Sequence, residues 1–223
     1  MRQVIEFLVR IALLALILRI CWWASDVPLS DPLNASIISG GVLLAFPLVW
    51  LGRKMLDRRP TIGRAVWTTT FVHFGLGLSF GVPIIRAVIT HRDWPGAVLP
   101  IPSGIGLALI LITAGACLLT VANLALKGFG APFFIVLSRK LAASWLYART
   151  RNPMVLATLA FFLSLGIWFQ SLLFVLWVLL LLTPAWLVFL KVYEERELEL
   201  RFGTSYLEYK SRTPMLFPGR RRC

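Results

Sequence analysis

Residues 154–190 run for 37 positions without a charged side chain. As a single helix this run would be ~55 Å long, too much for one crossing of ~30 Å of hydrocarbon. Two shorter helices fit the length better, with a turn near Gln170 and Ser171, the polar pair at its middle. A chain holding such a segment has few options. Lipid excludes unpaired backbone groups, so the segment must satisfy them internally as helix.

The rest of the chain agrees. Of 223 residues, 58% are hydrophobic and 15% charged, with a mean hydropathy of +0.80. A soluble domain of this length cannot hide that much apolar surface in one core. Four more apolar spans precede the long run: 4–24, 35–52, 66–90, and one within 97–125 that starts after Pro102. The expected architecture is therefore all-α and polytopic, with about six transmembrane helices. The last two form a tight hairpin, and a cytoplasmic helical tail follows. Residues 1–126 hold the N-terminal helices, and 127–223 form a separate C-terminal region.

Net charge is +13, which in a soluble protein would suggest nucleic acid. Here the basic residues fill short loops, where orientation and anionic lipid explain them. Nucleic acid is not expected as a partner. Loop 25–34 has no Lys or Arg, and 91–96 has only Arg92. Loop 53–65 has five, segment 126–153 has five, and the tail from 191 has eight. Rich and poor loops alternate as they must if six helices leave both termini in the cytoplasm. Arg19 and Arg86 are expected to snorkel towards the interface. Glu6 and Arg10, four apart, can pair on one helix face.

Cys21, Cys117 and Cys223 fit neither a metal site nor a disulfide framework. No lipobox precedes Cys21, and the first span reads as a retained helix rather than a cleaved leader. In the third span, Gly77 and Gly81 suit close helix packing, as do the small residues of the fourth. His73 lies inside the third span, where it either serves function or bonds across to another helix. Thr68, Thr69 and Thr70 are expected to bond to backbone. The first three spans carry no further motif and read as embedding and packing.

Two polar segments flank the long apolar run. Trp145-Leu-Tyr-Ala-Arg-Thr-Arg-Asn-Pro153 precedes it, and Tyr193-Glu-Glu-Arg-Glu-Leu-Glu-Leu-Arg-Phe-Gly-Thr-Ser-Tyr-Leu-Glu-Tyr209 follows it. A hairpin returns the second segment to the side of the first. Together they offer Arg, Asn and a pair of Glu, a set suited to a zwitterionic ligand. Arg grips a carboxylate in a two-pronged bond, and a carboxylate holds an ammonium. Such charges at a membrane helix end can also simply meet water and headgroups, and Pro153 can simply start a helix.

The order of these residues is more specific than their composition. The chain reads Tyr147-x-x-x-Arg151-Asn152-Pro153-Met154, the apolar run, then Glu194-Glu195-x-x-Leu198-x-x-x-Phe202-Gly203-x-x-Tyr206-x-x-Tyr209-x-x-x-x-Pro214. Over roughly residues 127–218 this resembles the isoprenylcysteine carboxyl methyltransferase family, itself similar in its C-terminal part to the phospholipid N-methyltransferases. The resemblance implies an S-adenosylmethionine-dependent methyltransferase with no metal, acting on a hydrophobic or lipid-linked acceptor at the cytoplasmic face. It implies a cofactor pocket lined by Tyr147, Arg151, Asn152 and Pro153 from one side and by Glu194 and Glu195 from the other. Tyr206 and Tyr209 would shape the short tail helix that closes it.

Arg151 and Glu195 are the expected catalytic pair. A sulfonium methyl is already activated, so transfer needs alignment and exclusion of water. A carboxylate acceptor needs no base and could be oriented by Arg151. An amine or hydroxyl acceptor needs a base such as Glu194 or Glu195. Three positions depart from the family pattern: Trp145 and Ala157 stand where Gly is common, and Val155 where bacterial members often have Tyr. Two other classes stay open at this point. A membrane reductase with a related C-terminal half would use a nicotinamide cofactor, although such enzymes are usually much longer. A non-catalytic scaffold or transporter would show no intact site, and no internal repeat of the transporter kind is present.

Overall fold

The computed structural model describes residues 2–91, 98–128, 138 and 140–217, and among these its regular elements are all helices, with no strand. Arg92, Arg139, Cys223 and the basic residues 220–222 lie outside the described residues. The helices are α1 (Arg2–Asp26), α2 (Asp31–Arg58), α3 (Ile62–Ile89), α4 (Ser103–Gly128), α5 (Pro153–Trp168), α6 (Leu172–Phe202) and α7 (Thr204–Arg212). Four of them, α2, α3, α4 and α6, are long and apolar enough to cross a membrane. That is fewer than the six spans the sequence suggests. α5 is apolar but has only 16 residues, or ~24 Å against ~30 Å of hydrocarbon. α1 forms a helix of 25 residues that carries Arg10 and Arg19.

The chain divides into two compact units. The first contains α1, α2, α3 and residues 179–197 of α6. The second contains α4, α5, residues 172–178 of α6, residues 198–202 and α7.

Within the first unit, glycines set how closely helices approach. A Cβ on Gly77 would lie 2.6 Å from Ile17 on α1, and one on Gly41 would lie 2.5 Å from the Pro83 ring. α2 is interrupted at Leu44, three residues before Pro47. Proline brings no N–H, so the ladder is broken there, and Leu44 and Leu48 carry the turn through.

The first unit also revises the expectation for Arg86. It does not snorkel: only 4% of it is exposed. Its Nε donates to Asn34 Oδ1 at 2.8 Å, and its Nη1 donates to Ala24 O at 2.9 Å and Val27 O at 3.0 Å. Asn34 Nδ2 passes the chain on to Thr90 Oγ1 at 3.0 Å. Carbonyls at the C-terminal end of α1 carry the negative end of its dipole, so they suit a guanidinium. The reason for the miss is that the acceptors are backbone groups and an Asn on another helix. Arg10 is likewise buried and donates to Thr70 Oγ1 at 3.2 Å.

In the second unit α4 lies against α5. A Cβ on Gly106 would stand 2.3 Å from Trp168 N and 2.5 Å from its Cα, so this glycine permits backbone to approach backbone. Gly104 and Gly115 meet nothing within 4 Å and have no such role. Between α5 and α6 the chain turns at Gln170, which has φ 55°. Ser171 then starts α6, its Oγ accepting Phe174 N at 3.2 Å. Gln170 also ties this turn to the residues ahead of α4: its carbonyl accepts Leu99 N, and its Nε2 donates to Ile101 O, each at 2.9 Å.

Candidate functional site

α4 ends in a wide π turn, Leu124–Gly128, immediately after Asn123. Asn123 is fully buried, and its Oδ1 accepts Leu146 N at 3.1 Å. This bond fixes the short 3-10 turn Trp145–Ala148 that carries Tyr147. Trp145 opens the turn with φ 57°, in the left-handed region. A residue with a Cβ is penalised there by ~1–2 kcal/mol, which accounts physically for glycine being common at this position. Trp145 is 62% exposed, and Lys127 Nζ sits 5.1 Å from its ring centroid.

The next residues are held by the tail. Arg151 N donates to Pro214 O at 2.9 Å. Thr150 Oγ1 and Asn152 Nδ2 both donate to Met215 O, at 3.2 and 2.9 Å. Asn152 N donates to Thr150 Oγ1 at 3.3 Å, which gives the segment a local turn of its own. Pro153 is buried at the first position of α5, where a missing N–H costs nothing.

α7 supplies a second set of contacts. Tyr209 Oη donates to Tyr147 O at 2.6 Å. Tyr206, 2% exposed, places its hydroxyl 3.5 Å from Arg151 Nη1. Burial raises the Tyr209 hydroxyl well above the usual tyrosine range, and the neighbouring Tyr147 and Tyr206 push it further, against a smaller opposing effect of Arg151. Tyr209 is therefore a neutral donor. α7 is aimed by Gly203, at φ 55° and ψ −131°, where only glycine is comfortable. Its carbonyl accepts Tyr206 N and Leu207 N. Lys210 Nζ pairs with Glu199 at 3.0 Å, and Arg201 donates to Ser138 O.

The second unit thus brings Tyr147, Arg151, Asn152, Pro153, Tyr206 and Tyr209 together. Glu194 and Glu195 belong to the first unit, half-buried at the end of a π turn, Phe189–Glu194. Glu195 N bonds Leu190 O, five residues back rather than four. Such turns are frequent where a helix carries function.

Residues 103–205 match the family model described as phospholipid methyltransferase. Over this segment the chain is similar to the phospholipid methyltransferases. The isoprenylcysteine carboxyl methyltransferases fall in the same family. The matched segment is a little under half of the chain and includes Tyr147, Arg151, Asn152, Pro153, Glu194 and Glu195; Tyr206 and Tyr209 lie just past its end. No curated protein and no solved structure matches the chain. The family match over residues 103–205 and the four long apolar helices point to a membrane protein with a methyltransferase-like segment.

Sequence reasoning missed Asn123, Thr150 and the Met215 carbonyl. Asn123 left a signal, being the one amide side chain in an otherwise apolar or small-residue stretch from 103 to 123. A backbone acceptor such as Met215 O leaves none.

Proposed function

We propose that this protein transfers a methyl group from S-adenosylmethionine to a hydrophobic or lipid-linked acceptor at the cytoplasmic membrane face. The observation that carries the reading is the docking of the tail on the Arg-Asn-Pro segment inside the family-matched region, through Met215 O, Pro214 O, Tyr206 and Tyr209. The residues present suit a zwitterionic cofactor. By the motif resemblance, Arg151 and Asn152 would offer donors for its carboxylate and Glu194 and Glu195 acceptors for its ammonium. Asn123 Nδ2 is buried with no hydrogen-bond partner among the described residues, and a bare buried donor of this kind costs ~1–3 kcal/mol unless a bound acceptor meets it.

S-adenosylmethionine supplies an activated methyl when bound. The protein's part is to hold, align and exclude water. Tyr147, Pro153, Tyr206 and Tyr209 form the wall, and α7 closes it. Arg151 orients a carboxylate acceptor, or Glu195 takes the proton of an amine or hydroxyl acceptor. Four long apolar helices, together with α1 and α5, support six spans with both termini cytoplasmic, given the alternation of basic loops. Residues 1–126 then embed the chain, and 127–223 hold the cofactor.

Calorimetry of S-adenosylmethionine binding in detergent tests this reading. Binding is expected for the native chain and a loss of at least about tenfold for Arg151→Ala and for Glu195→Ala. No binding by the native chain, or binding by both variants equal to that of the native chain, sinks the reading. Incubation with labelled cofactor and total membrane lipid then identifies the acceptor.

A further inference from the structure

We infer that Thr69, Arg53 and Asp57, on helices that precede the family-matched segment, are positioning residues for the Glu194–Glu195 pair. They act by holding the π turn that aims it. The inference rests on the reading that this pair contacts the cofactor.

A π turn holds about one residue more than an α turn. One extra residue rotates everything downstream by about 100°. Glu194 and Glu195 therefore face a direction that an unbroken α-helix would not give them. A wide turn is less favourable than α-helix, so it persists only where its surroundings hold it.

Three such restraints are present, all within the first unit. Tyr193, fully buried, shares a 3.0 Å hydrogen bond between its hydroxyl and Thr69 Oγ1 on α3. Its ring stacks on Phe189 with centroids 6.0 Å apart, and His73 meets Phe189 edge-on at 5.4 Å. Gly52 makes room for that ring: a Cβ there would lie 3.0 Å from it. Arg53 Nη1 donates to the Val192 carbonyl, inside the π turn, at 3.1 Å. Asp57 then bridges two arginines, taking Arg53 Nε at 2.6 Å and Arg196 Nε at 3.0 Å. The restraints bracket the pair, at residues 192 and 193 before it and at 196 after it. His73 also bonds Thr69 O on its own helix through Nδ1, at 2.9 Å.

The full-length protein in nanodiscs allows a direct test. A Glu195→Cys chain, with Cys21, Cys117 and Cys223 replaced by Ala, reports the direction of position 195 through its labelling rate with a charged thiosulfonate. Thr69→Val removes the hydroxyl and keeps the shape. In that background it is expected to change the labelling rate at least about threefold, and Thr69→Ser is expected to restore it. In the otherwise native chain, Thr69→Val and Asp57→Asn are expected to weaken S-adenosylmethionine binding about tenfold. An unchanged labelling rate overturns the inference, whatever happens to Tm. A changed rate with unchanged cofactor binding upholds the positioning and removes the Glu pair from the cofactor site.

Discussion

Gly203→Ala isolates a backbone effect at the point where the tail turns back. A Cβ at this position meets nothing within 4 Å, so no steric contact with neighbours enters. The whole penalty comes from φ 55° and ψ −131°, a conformation that costs a residue with a Cβ ~1–3 kcal/mol. Alanine also stiffens the unfolded chain, which returns ~0.4–1 kcal/mol. The net loss is ~1–2 kcal/mol, and at ~1.4 kcal/mol per factor of ten the ratio of docked to undocked α7 falls ~5–30-fold. Hydrogen exchange reads this at Tyr206 N and Leu207 N, which bond Gly203 O, and at Arg151 N, which bonds Pro214 O. All three amides should exchange faster together, and cofactor affinity should fall with them. Gly104→Ala is the matched control, because it also meets open space but sits in ordinary helix. If exchange at these amides is the same in Gly203→Ala as in the native chain, the argument that α7 is aimed by this torsion is wrong.

Four further outcomes follow from the geometry. Gly106→Ala places a methyl against the Trp168 backbone, so α4 and α5 must separate and Tm should drop by an amount equivalent to ~1–3 kcal/mol. Trp145→Gly removes ~1–2 kcal/mol of left-handed strain but loses a cation–π contact of ~0.5–1 kcal/mol; its Tm should stay near native, whereas Trp145→Val should lower it. Tyr209 keeps its proton in the folded protein at a pH where an unfolded tyrosine loses it. Its contribution is therefore complete below about pH 10 and declines as pH rises further, and Tyr209→Phe should flatten the alkaline fall in Tm measured in detergent. Asn123→Leu removes the cap on Leu146 and should weaken cofactor binding about tenfold, a change that calorimetry detects.

Apolar stretches separated by charged clusters were enough to place every long helix, since the period and length of such stretches are a property of sequence alone. Gly77 and Gly106 could likewise be read as packing positions before any neighbour was known. The pairing of Tyr147 and Arg151 with Tyr209 and Tyr206 was legible only through motif order, because no local rule joins residues 55 or more apart. What stayed hidden depends on backbone geometry. The π turns of α4 and α6 follow from no residue type. The acceptors that bury Arg86 are carbonyls of Ala24 and Val27, which every sequence has. The positive φ of Trp145 is visible only as a departure from a glycine.

The two buried arginines of the first unit bear on how the protein enters a bilayer. α1 contributes Arg10 to Thr70 of α3, and α3 contributes Arg86 to the end of α1. An arginine inside an apolar helix is costly in hydrocarbon unless polar partners meet it. Each helix here lowers that cost for the other, so neither is well settled until both are present. A chain truncated before the third helix is therefore expected to hold α1 less firmly than the full chain does.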